Sequence, residues 1–430
     1  MELVLLVVIP SLMDPATSYD LIVVGAGAAG LVAAATAAER GVRTLLLEKN
    51  RKPGVKILMS GGTRCNITQA TDNRGIVEAF GPPGRFLHSA LAAHGVDDTI
   101  RLFEREGVAT KTEPTGKIFP VSDKATDVLD ALLRRLRRSE CELALDEGVL
   151  DVEREGEGFQ LRTSRRTLHA AKLLVTTGGQ SYPGCGTIGE GYRWAANFGH
   201  TIVPPRPALV PITTNAAWVA SLKGVTIPDV ALSVVEASDD GVAKQRPLAT
   251  RRGSFLFTHF GLSGPVVLDV SRAVSGHPRP NTLALVCDFL PNMKPDVLAQ
   301  QLREQATSAG KKQLVSLLSE VLPKRLLETL LSAGGISPER RAAEVSGRDW
   351  ERVVEALKRA AIPISGTRGF KHAEVTAGGV ALDEVDSSTM QSKRAPNLYL
   401  AGEVLDLDGP IGGYNFQAAW STGFLAGQSV

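Results

Sequence analysis

Two short apolar runs near the N-terminus flank a glycine-rich segment. Residues 19–24 (YDLIVV) are continuous and rich in β-branched side chains, which is typical of a buried parallel strand. The Ala-rich segment Leu31–Arg40 predicts a helix that ends at Gly41, and residues 42–47 predict a second strand. This order of strand, glycine segment, helix and strand predicts one βαβ unit of about thirty residues.

The pattern continues along the chain, changes in the middle and then returns. Strands are predicted at residues 143–153, 158–163 and 172–177, and helices at residues 99–106 and 125–138. Residues 208–290 carry short strand-like runs between turns, which predicts a small β-barrel or sandwich. Leucines at helical spacing within residues 295–360 predict the core of a small helical subdomain. A strand at residues 397–403 and a small-residue helix at 418–427 resume the first pattern.

The glycine segment has the spacing of a dinucleotide-binding loop. Gly25, Gly27 and Gly30 follow a strand and open a helix. Gly25 allows the tight turn, Gly27 lets the backbone approach a pyrophosphate, and Gly30 lets the helix pack closely. Glu48 lies 18 residues beyond Gly30, where an acid accepts hydrogen bonds from the ribose hydroxyls. The register of strand, loop, helix and acid therefore predicts a bound dinucleotide.

Two later hydrophobic strands favour FAD over NAD as that dinucleotide. One leads to Thr177 and Gly178, and the other leads to Gly402 and Glu403. Flavoproteins with two such motifs use these strands to close over the cofactor, whereas a domain that binds only NAD does not need them. We expect NAD(P)H to act as a transient reductant.

Four sequence blocks make the pattern more specific. They are Ser60–Gln69 (SGGTRCNITQ), Thr177–Tyr192 (TGGQSYPGCGTIGEGY), Phe257–Pro265 (FTHFGLSGP) and Gly402–Gln417 (GEVLDLDGPIGGYNFQ). With these blocks the chain resembles the bacterial flavoprotein family that includes aminoacetone oxidase, bile-acid-pathway reductases and ribosomal-RNA dihydrouridine synthases. The resemblance extends over nearly the whole chain from residue 19. Thr63 and Gln69 depart from it, since many members have Gly and Asn there.

The resemblance implies an α/β fold that agrees with the hydrophobic pattern. A discontinuous Rossmann-type FAD-binding domain of the two-motif class would carry an inserted β-barrel and a small helical subdomain. The expected ranges are 19–203 and 373–430 for the FAD domain, 204–292 and 361–372 for the barrel, and 293–360 for the helical subdomain. We expect residues 1–18 to be a disordered or artefactual extension, with Met13 as the natural start. The apolar run within it is too short to span a membrane.

Cofactor contacts are expected in each of the FAD-domain blocks. Gly61 and Gly62 expose backbone N–H groups, and Arg64 supplies positive charge for a phosphate or a reduced flavin. Gly412 and Gly413 lead into a helix whose positive end would face the flavin carbonyl. The full set of expected FAD contacts is Gly25, Gly27, Ala29, Gly30, Glu48, Lys49, Lys56, Ser60, Gly61, Gly62, Arg64, Cys65, Asn66, Val149, Thr177, Gly178, Gly402, Glu403, Asp406, Gly412, Gly413, Tyr414 and Asn415.

Three residues are candidates for the chemistry itself. Cys65 either packs beside the flavin or acts as an acid or redox thiol, helped by Arg64 and Lys56. His259 lies among Gly and Ser in a loop of the inserted domain, and is either structural or functional. Tyr182 is a further candidate proton donor. No metal site is expected, because the four cysteines are far apart and form no CxxC pair.

Charge is distributed unevenly along the chain, although the net charge is only +2. Residues 204–372 hold 22 Lys and Arg against 15 Asp and Glu, whereas the remainder is acidic overall. This excess is either scattered over a solvated surface or marks an insertion that meets a polyanion. Reduced cysteines are consistent with a cytoplasmic protein.

Together, the motifs and the resemblance predict an FAD-dependent reductase. Hydride would pass from NAD(P)H through the flavin to an activated C=C bond, and a protein acid would protonate the neighbouring carbon. Uridine in ribosomal RNA is the leading substrate, with the basic insertion contacting phosphates. A small-molecule flavin oxidase or reductase and a non-catalytic FAD-containing RNA-binding factor remain as alternatives.

Overall fold

The computed structural model describes residues 17–237 and 246–430, which fold into two compact units. The first unit contains the described residues up to Gln180, together with residues 184–205 and 378–430. The second contains Ser181–Pro183 and Arg206–Ala377. Most of the expected N-terminal extension lies outside the described residues. Its upper boundary is corrected, because Ser18 already belongs to the first strand and pairs with His169.

The first unit begins with alternating strands and helices that include the predicted βαβ unit. Its strands up to residue 175 are β1 (Ser18–Val24), β2 (Thr44–Leu47), β3 (Thr68–Gln69), β4 (Thr110–Thr112), β5 (Lys117–Pro120), β6 (Glu142–Ala144), β7 (Val149–Glu155), β8 (Gly158–Thr163) and β9 (Thr167–Val175). Its helices up to residue 197 are α1 (Ala28–Ala38), α2 (Val55–Thr63), α3 (Asn73–Phe80), α4 (His88–Ala93), α5 (Val96–Arg105), α6 (Ala125–Arg138) and α7 (Glu190–Asn197).

The main sheet of this unit is largely parallel. Strands β6, β2, β1 and β9 lie side by side in parallel, and β8 and β7 continue the sheet with antiparallel pairing. Leu21–Val24 of β1 are buried between their neighbours, as expected for a strand covered on both faces. The carboxyl ends of β1, β2 and β9 therefore meet at one edge, where Gly25, Glu48 and Thr176 follow. The single strand predicted at residues 143–153 is two strands, β6 and β7.

The second unit contains the basic segment of the chain. After β10 (Ile202–Ala208), its strands are β11 (Ile212–Thr213), β12 (Thr226–Glu236), β13 (Ala249–Phe257), β14 (Gly261–Ser263), β15 (Leu283–Asp288), β16 (Ala360–Pro363) and β17 (Gly366–Thr367). Its helices are α8 (Ala217–Ser221), α9 (Pro265–Ser275), α10 (Pro295–Ser308), α11 (Leu314–Leu318), α12 (Lys324–Ala333) and α13 (Gly347–Lys358).

Its strands form one antiparallel sheet in the order β16, β15, β12, β13, β14, β11, β17. Helices α10–α13 share a single hydrophobic core with this sheet. The strand-and-turn pattern predicted for residues 208–290 missed α9. Pro265 begins that helix, and its buried valines at 266, 267, 270 and 274 have helical spacing. Valine favours strands by itself, so the spacing rather than the residue type reveals the helix.

The last part of the chain completes the first unit, after β18 (Val375–Val380). Strand β19 (Leu398–Leu400) pairs in parallel with β9. Helix α14 (Tyr414–Ser429) lies against α1, where a Cβ on Gly423 would come within 2.4 Å of the Ala29 carbonyl oxygen. The small residues of both helices thus allow close contact. Within the described ranges, no helix combines the length and apolar character needed to cross a membrane.

Candidate functional site

The loop between β1 and α1 is held by close backbone contacts. A Cβ on Gly30 would lie 1.9 Å from the Gly25 carbonyl oxygen, and Gly25 has a φ of +105°. A Cβ on Gly27, by contrast, would meet no atom within 4 Å. Ala29 is buried, and a Cβ on Gly402 would lie 2.9 Å from its Cβ. Gly25 and Gly30 thus serve packing, whereas Gly27 leaves open the space that a phosphate needs.

Glu48 lies at the end of β2 and is almost fully buried. One carboxylate oxygen accepts a hydrogen bond from the Ala26 N–H (3.0 Å), and the other accepts from the backbone and side chain of Asn50. Burial raises the pKa of this carboxyl although these hydrogen bonds oppose the shift. Lys49, also an expected cofactor contact, forms an ion pair with Glu190. Glu48 is therefore fixed against the glycine loop.

Several buried polar atoms of the first unit have no hydrogen-bond partner in the part of the chain that the structure describes. They include Asn66 Oδ1, Thr177 Oγ1 and Tyr192 Oη. Leaving a buried polar group unpaired costs about 1–3 kcal/mol, so such groups usually meet a ligand or water. Their presence fits a bound polar cofactor. Tyr192 was not among the expected contacts, although it is the last residue of the second sequence block.

The segment after α2 has an unusual backbone. Gly61 and Gly62 adopt left-handed conformations within the last turns, and Thr63 (φ +70°) and Cys65 (φ +61°) do so as well. A Cβ on Gly61 would lie 3.0 Å from the Asn66 backbone nitrogen, so a side chain there would disturb the turn. The left-handed backbone of Thr63 is a conformation that glycine adopts more readily than threonine does.

Arg64 forms contacts within the protein that the sequence did not predict. Its guanidinium donates a 2.6 Å hydrogen bond to Glu113, lies near Asp123 and covers the ring of Phe119 at 3.9 Å. Its charge is thus compensated by protein carboxylates. Contact of Arg64 with a phosphate or with the flavin stays a prediction.

Cys65 is fully buried in the first unit. Burial raises the pKa of its thiol to about 12, although a hydrogen bond with Ser60 opposes the shift. Neither expected cation assists ionisation, because Arg64 is paired with Glu113 and Lys56 with Glu403 (2.5 Å). The geometry opposes a thiolate role and leaves packing or a neutral proton donor as the open roles.

Ser60 and Val149 have local structural contacts. The Ser60 hydroxyl donates to the Ile57 carbonyl oxygen, and Val149 begins β7 as a buried residue that pairs with Thr163. Gly178 follows β9 with a φ of +71°. For Ser60, Val149 and Gly178, contact with the cofactor stays a prediction.

The segment before α14 supplies the last group of expected contacts. Gly412 and Gly413 have φ values of +132° and +95°, and a Cβ on Gly413 would lie 2.6 Å from the Thr68 carbonyl carbon. Gly413 caps α14, whose first turn carries no acidic residue. The helix N-terminus thus keeps the positive end expected to face an anionic flavin. Asp406 accepts a hydrogen bond from the Gly378 N–H.

Two residues of this segment form hydrogen bonds within the protein. Asn415 accepts from the Gly409 N–H and donates to the Gly409 carbonyl oxygen, so its amide closes its own loop. Asn415, which was expected to contact FAD, thus has a structural role within its own loop. Gln417 was not predicted, yet it accepts a 2.7 Å hydrogen bond from Thr68 and is fully buried. It ties α14 to the segment that follows Cys65. Tyr414 is half-buried at the start of the helix.

A second glycine repeat lies before α7. Gly184, Gly186 and Gly189 reproduce the spacing of the first loop, but β9 ends at Val175, so no strand leads directly into them. A Cβ on Gly186 would lie 2.8 Å from the Asn50 side chain. This repeat allows packing against the residues after Glu48.

The other two catalytic candidates lie in the second unit. His259 is exposed, and its ring contacts Phe260 edge-on with centroids 5.0 Å apart. Tyr182 has a φ of +52°, and its backbone N–H donates to the Phe370 carbonyl oxygen at 3.0 Å. Arg368 covers the Phe260 ring, so segments near residues 182, 260 and 370 are neighbours. Sequence reasoning did not identify Arg368.

Comparison with known proteins places the chain in a family. Residues 19–429 match the HI0933-like protein Rossmann domain. The chain is 36% identical over 416 residues to the ribosomal RNA dihydrouridine synthase of Escherichia coli, covering 96% of this chain and 98% of that protein. It is 32% identical over 411 residues to the 3-dehydro-bile acid delta(4,6)-reductase of Clostridium scindens, covering 95% and 98%.

A solved structure also matches over most of the chain. The 3-ketosteroid-delta4-(5alpha)-dehydrogenase of Rhodococcus jostii covers 97% of this chain and 98% of its own, with 13% identity and a TM-score of 0.49. The family match, the near-complete coverage by relatives and the glycine-loop geometry agree with one another. The chain belongs to the HI0933-like family of Rossmann-type flavoprotein oxidoreductases.

Proposed function

We propose that this protein uses FAD and NAD(P)H to reduce an activated C=C bond, and that its substrate is uridine in ribosomal RNA. The observation that carries this proposal is the 36% identity to a ribosomal RNA dihydrouridine synthase over 96% of the chain. Uridine offers a suitable bond, because its C5=C6 double bond is conjugated with a carbonyl group. We also propose a cytoplasmic location, in keeping with this substrate.

The first unit supplies the residues that would hold FAD. Gly27 leaves room for the pyrophosphate at the N-terminus of α1, and Glu48 stands beside the loop as a ribose acceptor. Asn66, Thr177 and Tyr192 offer buried polar atoms that FAD would satisfy. When bound, FAD supplies the transfer of hydride from a nicotinamide to one carbon of the substrate double bond.

The chain itself must supply a proton to the other carbon. Cys65 remains a candidate as a neutral S–H donor, because burial keeps its thiol protonated. His259 and Tyr182 remain candidates in the second unit. The N-terminus of α14, free of acidic residues in its first turn, would favour negative charge on the reduced cofactor.

A second candidate function is reduction of a small, conjugated molecule. The 32% identity to a bile-acid reductase over 95% of the chain favours it. Salt dependence separates the two functions, because RNA binding weakens steeply as salt rises, whereas binding of a small neutral substrate does not.

The test is mass-spectrometric mapping of dihydrouridine in ribosomal RNA from a strain that lacks the gene. We expect at least one dihydrouridine to disappear and to return when the wild-type gene is restored. Restoration with a variant that does not retain FAD serves as the matched control and should leave the site as uridine. A map identical to that of the parent strain would contradict the RNA substrate and leave the small-molecule function.

A further inference from the structure

The second unit brings together a cation and aromatic rings from two separate loops. The Arg368 guanidinium lies 4.3 Å from the centroid of the Phe260 ring, and His259 contacts the same ring edge-on. Arg368 also donates a 2.8 Å hydrogen bond to His372 Nε2. Burial, with the nearby charges of Arg368 and Lys371, lowers the pKa of His372, which favours the neutral ring whose Nε2 accepts this hydrogen bond. The charge of Arg368 is therefore not cancelled by this partner.

Strand β11 holds the two loops in place. Its Thr213 pairs with Gly261, which follows Phe260, and its Ile212 pairs with Thr367, which precedes Arg368. Gly261 has a φ of +146°, and a Cβ there would lie 2.3 Å from the Ile212 carbonyl oxygen. The two loops are thus fixed by a strand between them, although they lie more than 100 residues apart in the sequence.

Arg368 differs from two other arginines of the same unit whose charges are paired with carboxylates. Arg252 pairs with Asp229, and Arg340 pairs with Asp349. Among the described residues, no carboxylate forms an ion pair with Arg368. Residues 258–263 and 366–373 contain no Asp or Glu, and Lys371 is exposed beside them. The cluster is thus cationic, aromatic and partly open to solvent.

We propose that His259, Phe260 and Arg368 form a stacking site for an unpaired nucleotide of RNA. Aromatic rings and arginine guanidinium planes are the groups on which proteins stack single-stranded bases. Exposed Lys371 adds a cation for the neighbouring phosphate. The site rests on the proposed function, and it assigns to Arg368 and Phe260 a role in recognising the RNA substrate.

The test uses the FAD-loaded protein and a fluorescent single-stranded oligouridylate of about ten nucleotides. Arg368→Ala and Phe260→Leu should each weaken binding by about tenfold, in line with the loss of one stacking contact. Arg251→Ala is the matched control, because Arg251 is an exposed cation of β13 in the same unit. It should weaken binding less than threefold, as expected for an exposed cation outside the stacking site. Flavin content and melting temperature verify that each variant is folded.

Arg368→Lys distinguishes stacking from charge, since lysine keeps the charge but lacks the planar guanidinium. We expect this variant to bind the oligouridylate several-fold more weakly than the wild type while its affinity for heparin stays the same. Equal losses for heparin and RNA in all variants, or variants that bind RNA as the wild type does, would overturn the stacking site. RNA binding that depends on Arg368, together with an unchanged dihydrouridine map, would instead contradict the proposed function.

Discussion

The glycine loop of the first unit and the cluster around Arg368 in the second unit are built differently. The loop depends on its backbone conformation and on the absence of side chains at its glycines, all within the six consecutive residues Gly25–Gly30. The cluster uses rings and charges from loops that a short strand, β11, brings together. A site made by local backbone geometry can be recognised from sequence spacing. A site made by side chains from distant segments becomes visible only in the folded chain.

The largest expected effect comes from adding one methyl group to the glycine loop. In Gly30→Ala, the new Cβ would lie 1.9 Å from the Gly25 carbonyl oxygen, so the loop must shift. We expect purified protein with little or no FAD and a free energy of unfolding lower by about 3 kcal/mol. Flavin absorbance per protein and urea unfolding measure both effects.

Gly27→Ala is the matched control, since its Cβ would meet no protein atom within 4 Å. It should leave the stability of the FAD-free protein unchanged while weakening FAD binding. If Gly30→Ala retained wild-type flavin content and stability, the loop would not be fixed by its backbone contacts.

A smaller effect is expected from the side chain that supports the loop. Glu48→Ala removes the acceptor of the Ala26 N–H and of Asn50, and also the proposed ribose acceptor. We expect FAD affinity to fall about 30-fold, equivalent to about 2 kcal/mol for hydrogen bonds to a charged group. Titration of FAD by fluorescence measures this loss. The FAD affinity of Glu48→Gln should lie between that of Glu48→Ala and that of the wild type. Equal affinities for all three proteins would contradict a role for the carboxylate.

A buried network in the first unit joins the side chain of Thr201 to those of Glu384 and Arg394, which are distant from it in the sequence. Burial opposes ionisation of Glu384, but hydrogen bonds from Arg394 and Thr201 outweigh it and lower the carboxyl pKa to about 2. A depressed pKa stabilises the fold above the unfolded-state value and loses this contribution as pH falls from about 4.5 to about 2. Because Arg394 is half-exposed, we expect a loss of only about 1 kcal/mol.

Urea unfolding at several pH values tests this network. The wild type should lose stability across that acidic range more steeply than Glu384→Gln, which cannot titrate there. Parallel pH profiles for the two proteins would show that Glu384 does not contribute. FAD content near neutral pH should be similar in both, since this network includes none of the expected cofactor contacts.

The smallest effect concerns Cys65, whose thiol is buried and has a pKa raised to about 12. Iodoacetamide near pH 8 should leave Cys65 unlabelled in the folded protein and label it after denaturation, because the thiolate is the reactive form. Peptide mass spectrometry measures the labelled fraction. Rapid labelling of Cys65 in the folded state would support the thiolate role that the geometry opposes.

Features made by residues close together in the chain were predictable from the sequence, whereas contacts between distant residues were not. The βαβ unit and the placement of Glu48 beside the loop were predictable because their determinants lie close together in the chain. The ion pair of Arg64 with Glu113 was not predicted because Glu113 is distant in the sequence, and Arg368 was missed because Phe260 lies in another loop. The buried Tyr192 hydroxyl escaped notice since burial is not visible in a motif.

We propose that this flavoprotein reduces uridine in ribosomal RNA. The most direct measurement mixes the purified, FAD-loaded protein with NADH or NADPH and ribosomal RNA isolated from a strain that lacks the gene, without oxygen. We predict bleaching of the flavin by one of the reductants, its reoxidation upon RNA addition, and a uridine that gains the mass of two hydrogen atoms. A flavin that is reduced but passes no hydrogen to the RNA would contradict the claim.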